Sequence, residues 1–556
     1  MTGFIFLLYF RVEFPFEEMV DVMIFLDGSP NFWSGELITQ YHEMEHRTAV
    51  PMIIRYLDRL WYGSAGLFPL LVSHIALFLS IFVIVDANRK SSRFWSGNHM
   101  LFFVSALAFN FSLINTSNLN WDLQMHVSLS ILFTVLSAKA AARIKPQEFP
   151  HRCQMDLIKC NLYSWLAAYS FGHGLPILFT ILLYGIVSRW PRKYLMAITN
   201  SLVALVVSYL YLLSLRDGGL TSIESIEVNF LSLPTTILSI LGSSLAFSLP
   251  KQVFDTYGVF ISCALGSGLV ILLLRKVLHF RNALSNKKEL EEPDKFALLV
   301  CSSIIGATIL IWLSRTGDTV NLVDRYAILS TIFIIIVPIF YLKSIDDKTA
   351  NVLMISFCLT FLGLAGHFAN ITNLVYRWHF TTLAAISTEF EIHIPGPNNF
   401  AGPPMHIWPQ QALSVWENHR ERLRSNDASS PILWKGRQLS IFENTIKQPL
   451  CNARIFGIFS IPNYDQKFIF KGYFSDPELY QIPKTWIVAV TTNNEISGLG
   501  VLGHAPEYVT EDVRGNINRG EFGIFFGYLE GKVGDDVEFF SKRDGSTCLI
   551  GRAKIG

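Results

Sequence analysis

Hydrophobic residues fill the first two thirds of the chain in long blocks, at about 65–85, 100–115, 122–138, 157–188, 195–215, 230–249, 258–274, 296–314, 326–343 and 351–368. About 20 apolar residues span the ~30 Å core of a bilayer, so most of these blocks predict membrane-crossing helices. The block 157–188 is too long for one straight crossing, and Ser-Phe-Gly-His-Gly-Leu-Pro at 170–176 predicts a break into two helices. Ten or eleven crossings follow. After Ala369 the pattern changes. A Pro/Gly/Asn loop at 394–404 and a polar helix near 409–425 precede short alternating or aromatic runs at 467–473, 486–491, 496–503, 522–529, 535–541 and 547–551. Turn residues punctuate these runs, which predicts an antiparallel β-sandwich or jelly-roll. The expected organisation is a polytopic α-helical domain over 1–370, a linker with a polar helix over 371–430, and a β domain over 431–556.

Loop charge orients the helices. The basic loops are 86–98, 139–156, 189–193, 275–295 and 344–349, so these are expected in the cytoplasm. The loop 13–64, the stretches 216–229 and 315–324, and everything after about 369 then lie outside. With two crossings in 157–188, the block 230–249 cannot cross fully and is expected to be re-entrant or interfacial. The opening MTGFIFLLYFRV has too few apolar residues to span alone and lacks a basic n-region and cleavage site; it reads as the end of a first membrane helix. Within the first outer loop, Ile53, Ile54, Leu57, Leu60 and Trp61 fall on one helical face and Arg55, Asp58 and Arg59 fall elsewhere. That pattern predicts a helix lying on the membrane surface, with Pro51 in its first turn.

Composition agrees with a multi-pass membrane protein. The 556 residues are 51% hydrophobic and only 16% charged, and the net charge of +1 offers no global attraction to nucleic acid. The seven cysteines form no CxxC pair and no metal-ligand spacing. Cys451 and Cys548 are the only two in the β domain; pairing and free thiols both remain open for them.

Three stretches carry candidate chemistry. The first outer loop gathers Asp27, Glu36, Glu43 and Glu45 with His42, His46 and Arg47. His42-Glu43-Met44-Glu45-His46 matches the H-E-x-x-H zinc pattern, but Arg47 and Pro51 interrupt the long apolar helix that working examples need, and no third ligand follows at short spacing. The bland alternative is a solvated helix with a Glu43–Arg47 ion pair. Second, Asn118, Asn120, Asp122, Gln124 and His126 are polar where a hydrophobic block begins, costly in a bilayer unless they face a cavity. Gly172-His173-Gly174 adds a histidine at the predicted helix break. Third, Arg315 and Arg325 flank Asp318 and Asp324 in an outer loop, and guanidinium groups there suit a lipid phosphate as well as interfacial snorkelling.

The order of these stretches resembles the GT-C superfamily of integral-membrane glycosyltransferases. Glu45-His46-Arg47 resembles an "NEHR" element after the first helix, with Met44 in place of Asn. Asn118-Leu-Asn-Trp-Asp-Leu-Gln124 resembles an "EN-x-x-W-x-x-Q" segment, and Asp324-Arg325-Tyr326 an "SRY" segment. The resemblance implies transfer of a sugar from a polyprenyl-phosphate carrier to a glycan or lipid acceptor outside the cytoplasm, without a nucleotide-sugar domain. It implies a carboxylate base in the first outer loop, with Asp27 and Glu45 ahead of Glu36 and Glu43. His46, Arg47, Asn120, Gln124, His173, Arg315, Arg325 and Tyr326 would then contact the lipid phosphate or sugar. No cofactor is demanded, though a divalent cation fits the acids. The competing readings are a transporter, flippase or assembly protein for surface polysaccharide and, behind these, a zinc protease.

Overall fold

The computed structural model describes residues 49–62, 66–88, 96–115, 119, 124–145, 150–214, 230–249, 251–285, 290–314, 326–342, 349–390, 450–461, 465–474, 485–491, 493, 495–502, 524–543 and 546–556. They divide into two compact units, the first ending at Ile371 and the second beginning at Thr372.

The first unit is helical. Its helices are α1 (Ala49–Tyr62), α2 (Leu67–Ala87), α3 (Gly97–Asn110), α4 (Met125–Ala142), α5 (Pro150–Ser170), α6 (Pro176–Val187), α7 (Arg192–Ser214), α8 (Leu233–Ala246), α9 (Lys251–Ser285), α10 (Glu292–Ser314), α11 (Ala327–Ile336) and α12 (Thr349–Glu389). The break inside 157–188 is present: α5 stops at Ser170, a 3₁₀ turn covers Gly172–Gly174, and Pro176 opens α6. Proline suits that position because its missing N–H is unneeded in a first turn. α12 runs on to Glu389, so the first part of the stretch expected as linker and polar helix is helical, and 391–430 lie outside the described residues.

Five of the described helices are long and apolar enough to cross a membrane: Phe68–Ala87, Met125–Ala142, Thr256–Arg281, Glu292–Leu313 and Thr349–Asn370. This is fewer than the ten or eleven that the apolar blocks predict. Among the described residues, three of the blocks fold as shorter apolar helices, at Gly172–Val187, Leu233–Ala246 and Ala327–Tyr341.

Polar contacts fix the direction of the helices. Ser73 meets Ser128 at 2.7 Å and Asp86 meets Lys139 at 2.5 Å, so α2 and α4 run parallel, as the loop charges require. Ser137 meets Ser164 at 2.8 Å while Cys153 bonds the Lys145 carbonyl, so α5 returns antiparallel to α4. Arg143 pairs with Glu292 at 3.0 Å and Asn98 with Thr349 at 3.2 Å. The helix ends that border the basic loops therefore lie at one end of the bundle, and 58–62, 66–68, 124–126, 171–173 and 326 belong to the other.

Both ends of α8 lie at that other end. Its entry residue Ser232 accepts a bond from Trp312 near the end of α10, and its last turns meet Ala327, Ser330 and Thr331 at the start of α11. Fourteen residues make only ~21 Å of helix. Where α8 crosses α9 the backbones touch: a Cβ on Gly242 would lie 2.0 Å from the Ser262 carbonyl oxygen, and one on Gly266 2.0 Å from that of Leu238. Small residues at a helix crossing permit this approach.

The second unit contains β1 (Ala453–Ser460), β2 (Lys467–Phe474), β3 (Trp486–Thr491), β4 (Ile496–Leu502), β5 (Ile524–Glu530), β6 (Asp536–Arg543) and β7 (Ser546–Lys554). All neighbours pair antiparallel in the order β1-β2-β5-β4-β3-β6-β7. The expected sandwich or jelly-roll matches in its antiparallel character, but the described strands form one continuous sheet. Its two edges curl together: Leu450 bridges to Leu549, the Cys451 amide bonds the Leu549 carbonyl at 2.8 Å, and Cys451 is disulfide-bonded to Cys548 with Cα atoms 5.3 Å apart. One face carries a core of Phe468, Phe470, Phe474, Ile487, Phe525 and Phe539.

On the other face of β2 stands Lys471, opposite Phe526 and buried. Burial pushes its ammonium below the ordinary value near 10.5. Between the folded and unfolded values the unfolded chain binds more protons, so this lysine makes the sheet more stable as pH climbs through that window. Lys471→Met keeps the stem and should flatten the rise, read by denaturant titrations of the intact protein between pH 7 and pH 10.

Candidate functional site

The end of the bundle away from the basic loops is built from four pieces. α1 contributes a face that inverts the expected one: Arg55 and Asp58 are 4% and 2% exposed, whereas Leu60 and Trp61 are 60% and 61% exposed. Val50 and Ile54 pack beside Ala76, Met125, Leu129 and Leu132, alongside α2 and α4. Leu60 and Trp61 point outward while Arg55 and Asp58 point inward.

Asp58 has polar partners. It accepts from the Gly66 amide at 2.8 Å and the Phe68 amide at 3.2 Å, closing the start of α2 where backbone donors would otherwise be orphaned. Arg55, one turn away, does not. All three guanidinium nitrogens are buried without a hydrogen-bond partner among the described residues. A desolvated, uncompensated cation is among the most expensive groups a folded chain can carry.

The same end of the bundle holds an aromatic and imidazole cluster. His126, at the start of α4, packs 4.2 Å from Phe171; Phe171 is 4.3 Å from His173; and the edge of His173 meets Tyr326 at 5.8 Å. Each is positioned by a helix end. His173 sits in the 3₁₀ turn, where Gly174 is required because a Cβ would lie 2.3 Å from the Ala167 carbonyl oxygen. Tyr326 leads into α11. His74, also buried, bonds the Leu70 carbonyl at 2.8 Å and stacks on Phe111. Gln124 precedes α4, and its buried Oε1 has no hydrogen-bond partner among the described residues.

A second network at this end is satisfied. Asn115 donates to the Asn110 carbonyl at 2.9 Å and to Thr331 at 3.3 Å; Thr331 meets Ser244 at 2.8 Å, and Ser244 donates to the Ala327 carbonyl at 2.7 Å. This network ties α8 and α11 to the loop after α3.

Of the candidates named from sequence, the structure brings His173 and Tyr326 into contact and buries Gln124 at the same end of the bundle. Asp27, Glu36, Glu43, Glu45, His46, Arg47, Asn120, Arg315 and Arg325 lie outside the described residues, as does the H-E-x-x-H stretch. Among the described residues no group of three or more His, Cys, Asp or Glu side chains is arranged to hold a metal ion. Sequence reasoning missed Arg55 and Asp58, which periodicity assigns to the wet face of α1. The signal for them was a pair of charges three residues apart ahead of a long apolar block.

Chemically, the arrangement offers a guanidinium and an amide oxygen that have no hydrogen-bond partner among the described residues, with imidazole and phenol groups at the same end. Compared with family models, with curated proteins and with solved structures, the chain matches none.

Proposed function

We propose that this chain is a multi-pass membrane glycosyltransferase that moves a sugar from a polyprenyl-phosphate carrier to an acceptor outside the cytoplasm. The observation that carries this reading is Arg55, a buried guanidinium without a hydrogen-bond partner among the described residues, at the end of the bundle that also holds a cluster of imidazole and phenol side chains. Guanidinium nitrogens match phosphate oxygens in geometry and charge, so an anionic donor would supply the missing compensation.

Placement in a bilayer is supported by the distribution of side chains. Phe78, Phe82, Val104, Ile158, Phe260, Phe357 and Phe361 are exposed, while Ser80, Ser128, Ser137, Ser164, Thr308 and Ser330 are buried. Water would favour the reverse arrangement; hydrocarbon favours this one. The Cys451–Cys548 disulfide supports an oxidising, extracytoplasmic compartment for the β unit. Loop charge agrees, since the basic loops belong to the opposite end of the bundle from Arg55.

In this reading a carboxylate of the first loop, Asp27 or Glu45 ahead of Glu36 and Glu43, takes the proton of the acceptor hydroxyl. Arg55, with Arg47 and Arg325, holds the carrier phosphate and stabilises its charge as the glycosidic bond breaks. His173 and Tyr326 contact the sugar or phosphate, and the carrier tail stays in the lipid.

The test is turnover by the purified protein in vesicles that contain a polyprenyl-phosphate sugar. Transfer to an acceptor is expected, with a loss of roughly 10²-fold or more in Asp27→Asn or Glu45→Gln. Full activity in both variants would refute the base assignment. Movement of the lipid-linked sugar across the vesicle without transfer would favour the transporter or flippase reading instead.

A further inference from the structure

Hydroxyl groups inside helices usually settle on the carbonyl one turn back. Ser80, Ser164, Ser170, Thr180 and Ser303 all do so, at 2.7–2.9 Å. Ser130 and Thr134 of α4 break this habit. They are only 2% and 7% exposed, yet neither hydroxyl has a hydrogen-bond partner among the described residues. The two stand one turn apart and line the same cavity, together with His173 from the 3₁₀ turn and Ser303 from α10. The rest of the lining is apolar, including Ile131, Val300, Ile304 and Leu329.

The cavity measures about 20 Å³. A water molecule needs roughly 10–15 Å³ on this measure and two to four polar partners. We propose that a single structural water occupies it, bound by the hydroxyls of Ser130 and Thr134, by Ser303 Oγ and by the imidazole of His173. Ser303 already donates to the Leu299 carbonyl, so its oxygen accepts from the water. The Ser130 and Thr134 hydroxyls donate to the water or accept from it, and His173 takes the remaining position. Four partners saturate one water. A cation is the poorer occupant, because no carboxylate lines the cavity to offset its charge.

The water has a consequence for the site. Its bond to His173 fixes which way the ring faces, and with it the edge that His173 presents to Tyr326. His173 is thereby a positioned residue, held from beneath by a solvent molecule. The inference rests on the cavity and its two unpaired hydroxyls and does not depend on the proposed sugar transfer.

An experimental structure of the intact protein, fine enough to show buried waters elsewhere, tests it. One isolated peak is expected within ~2.7–3.2 Å of both Ser130 Oγ and Thr134 Oγ1. In a Ser130→Ala, Thr134→Val double variant the peak should vanish, and the ring ¹⁵N signals of His173 should shift. Each change removes an unpaired hydroxyl and little volume, so the fold is expected to persist; Ser130→Ala alone should weaken the peak if the double variant is not recovered. An empty cavity in the unmodified protein, or a peak unchanged in the variants, overturns the proposal.

Discussion

Replacing Arg55 by methionine should make the protein more stable and inactive at once. Methionine keeps an unbranched stem of similar length and removes a cation that no described group compensates. Exchanging buried ionic groups for apolar ones of similar volume is often neutral or stabilising by about 1–4 kcal/mol, and an unpaired charge belongs at the upper part of that range. A melting temperature several degrees higher in detergent is therefore expected. Transfer from a lipid-phosphate donor should fall by roughly 10²-fold or more, the scale seen when one charge-stabilising group is removed from a reaction site. Arg55→Lys should restore little, because a point charge does not reproduce the planar fork. A less stable Arg55→Met protein would mean that the guanidinium contributes packing or bonds to the fold. An unchanged rate would remove it from the site.

The second large effect concerns the disulfide. Cys451 and Cys548 are 97 residues apart in sequence, and closing a loop of that order constrains the unfolded chain by roughly 4–5 kcal/mol in the chain-entropy account. The bond also joins the approach to β1 with β7, the two edges of the sheet. Cys451→Ser with Cys548→Ser should lower the stability of the β unit by about 2–5 kcal/mol, measured by denaturant titration with protease sensitivity as the probe. In the unmodified protein, denatured without reductant, five cysteines should alkylate: Cys153, Cys160, Cys263, Cys301 and Cys358. Seven reactive thiols in freshly isolated material would place the β unit in a reducing compartment and overturn its assignment to the outside.

The helix break at 170–176 was legible because glycine and proline punctuate an apolar run at the point where the backbone must turn. The parallel course of α2 and α4 was legible from loop charge, and Asp86–Lys139 then supplies the contact that holds it. Other features were hidden for physical reasons. The strand β1 alternates between partly buried and exposed residues at a sheet edge, so its sequence ARIFGIFS gives no strong apolar run. The burial of Arg55 and Asp58 is invisible to periodicity, which assumes that polar faces meet water. Here Asp58 turns inward to accept from the Gly66 and Phe68 amides at the start of α2, a backbone demand that side-chain periodicity does not register. The pairing of the two cysteines could not be read from spacing, since it depends on the sheet curling until its edges meet.

The crossing of α8 and α9 has a mechanical consequence. With Gly242 and Gly266 each pressed to the opposing main chain, neither helix has room to slide or rotate on the other. Motion at this end of the bundle, such as the entry of a bulky lipid-linked molecule, must carry the pair as one lever. Its pivots then lie beyond the contact, where α8 begins beneath Trp312 and where α9 meets Tyr341 through the Leu272 carbonyl.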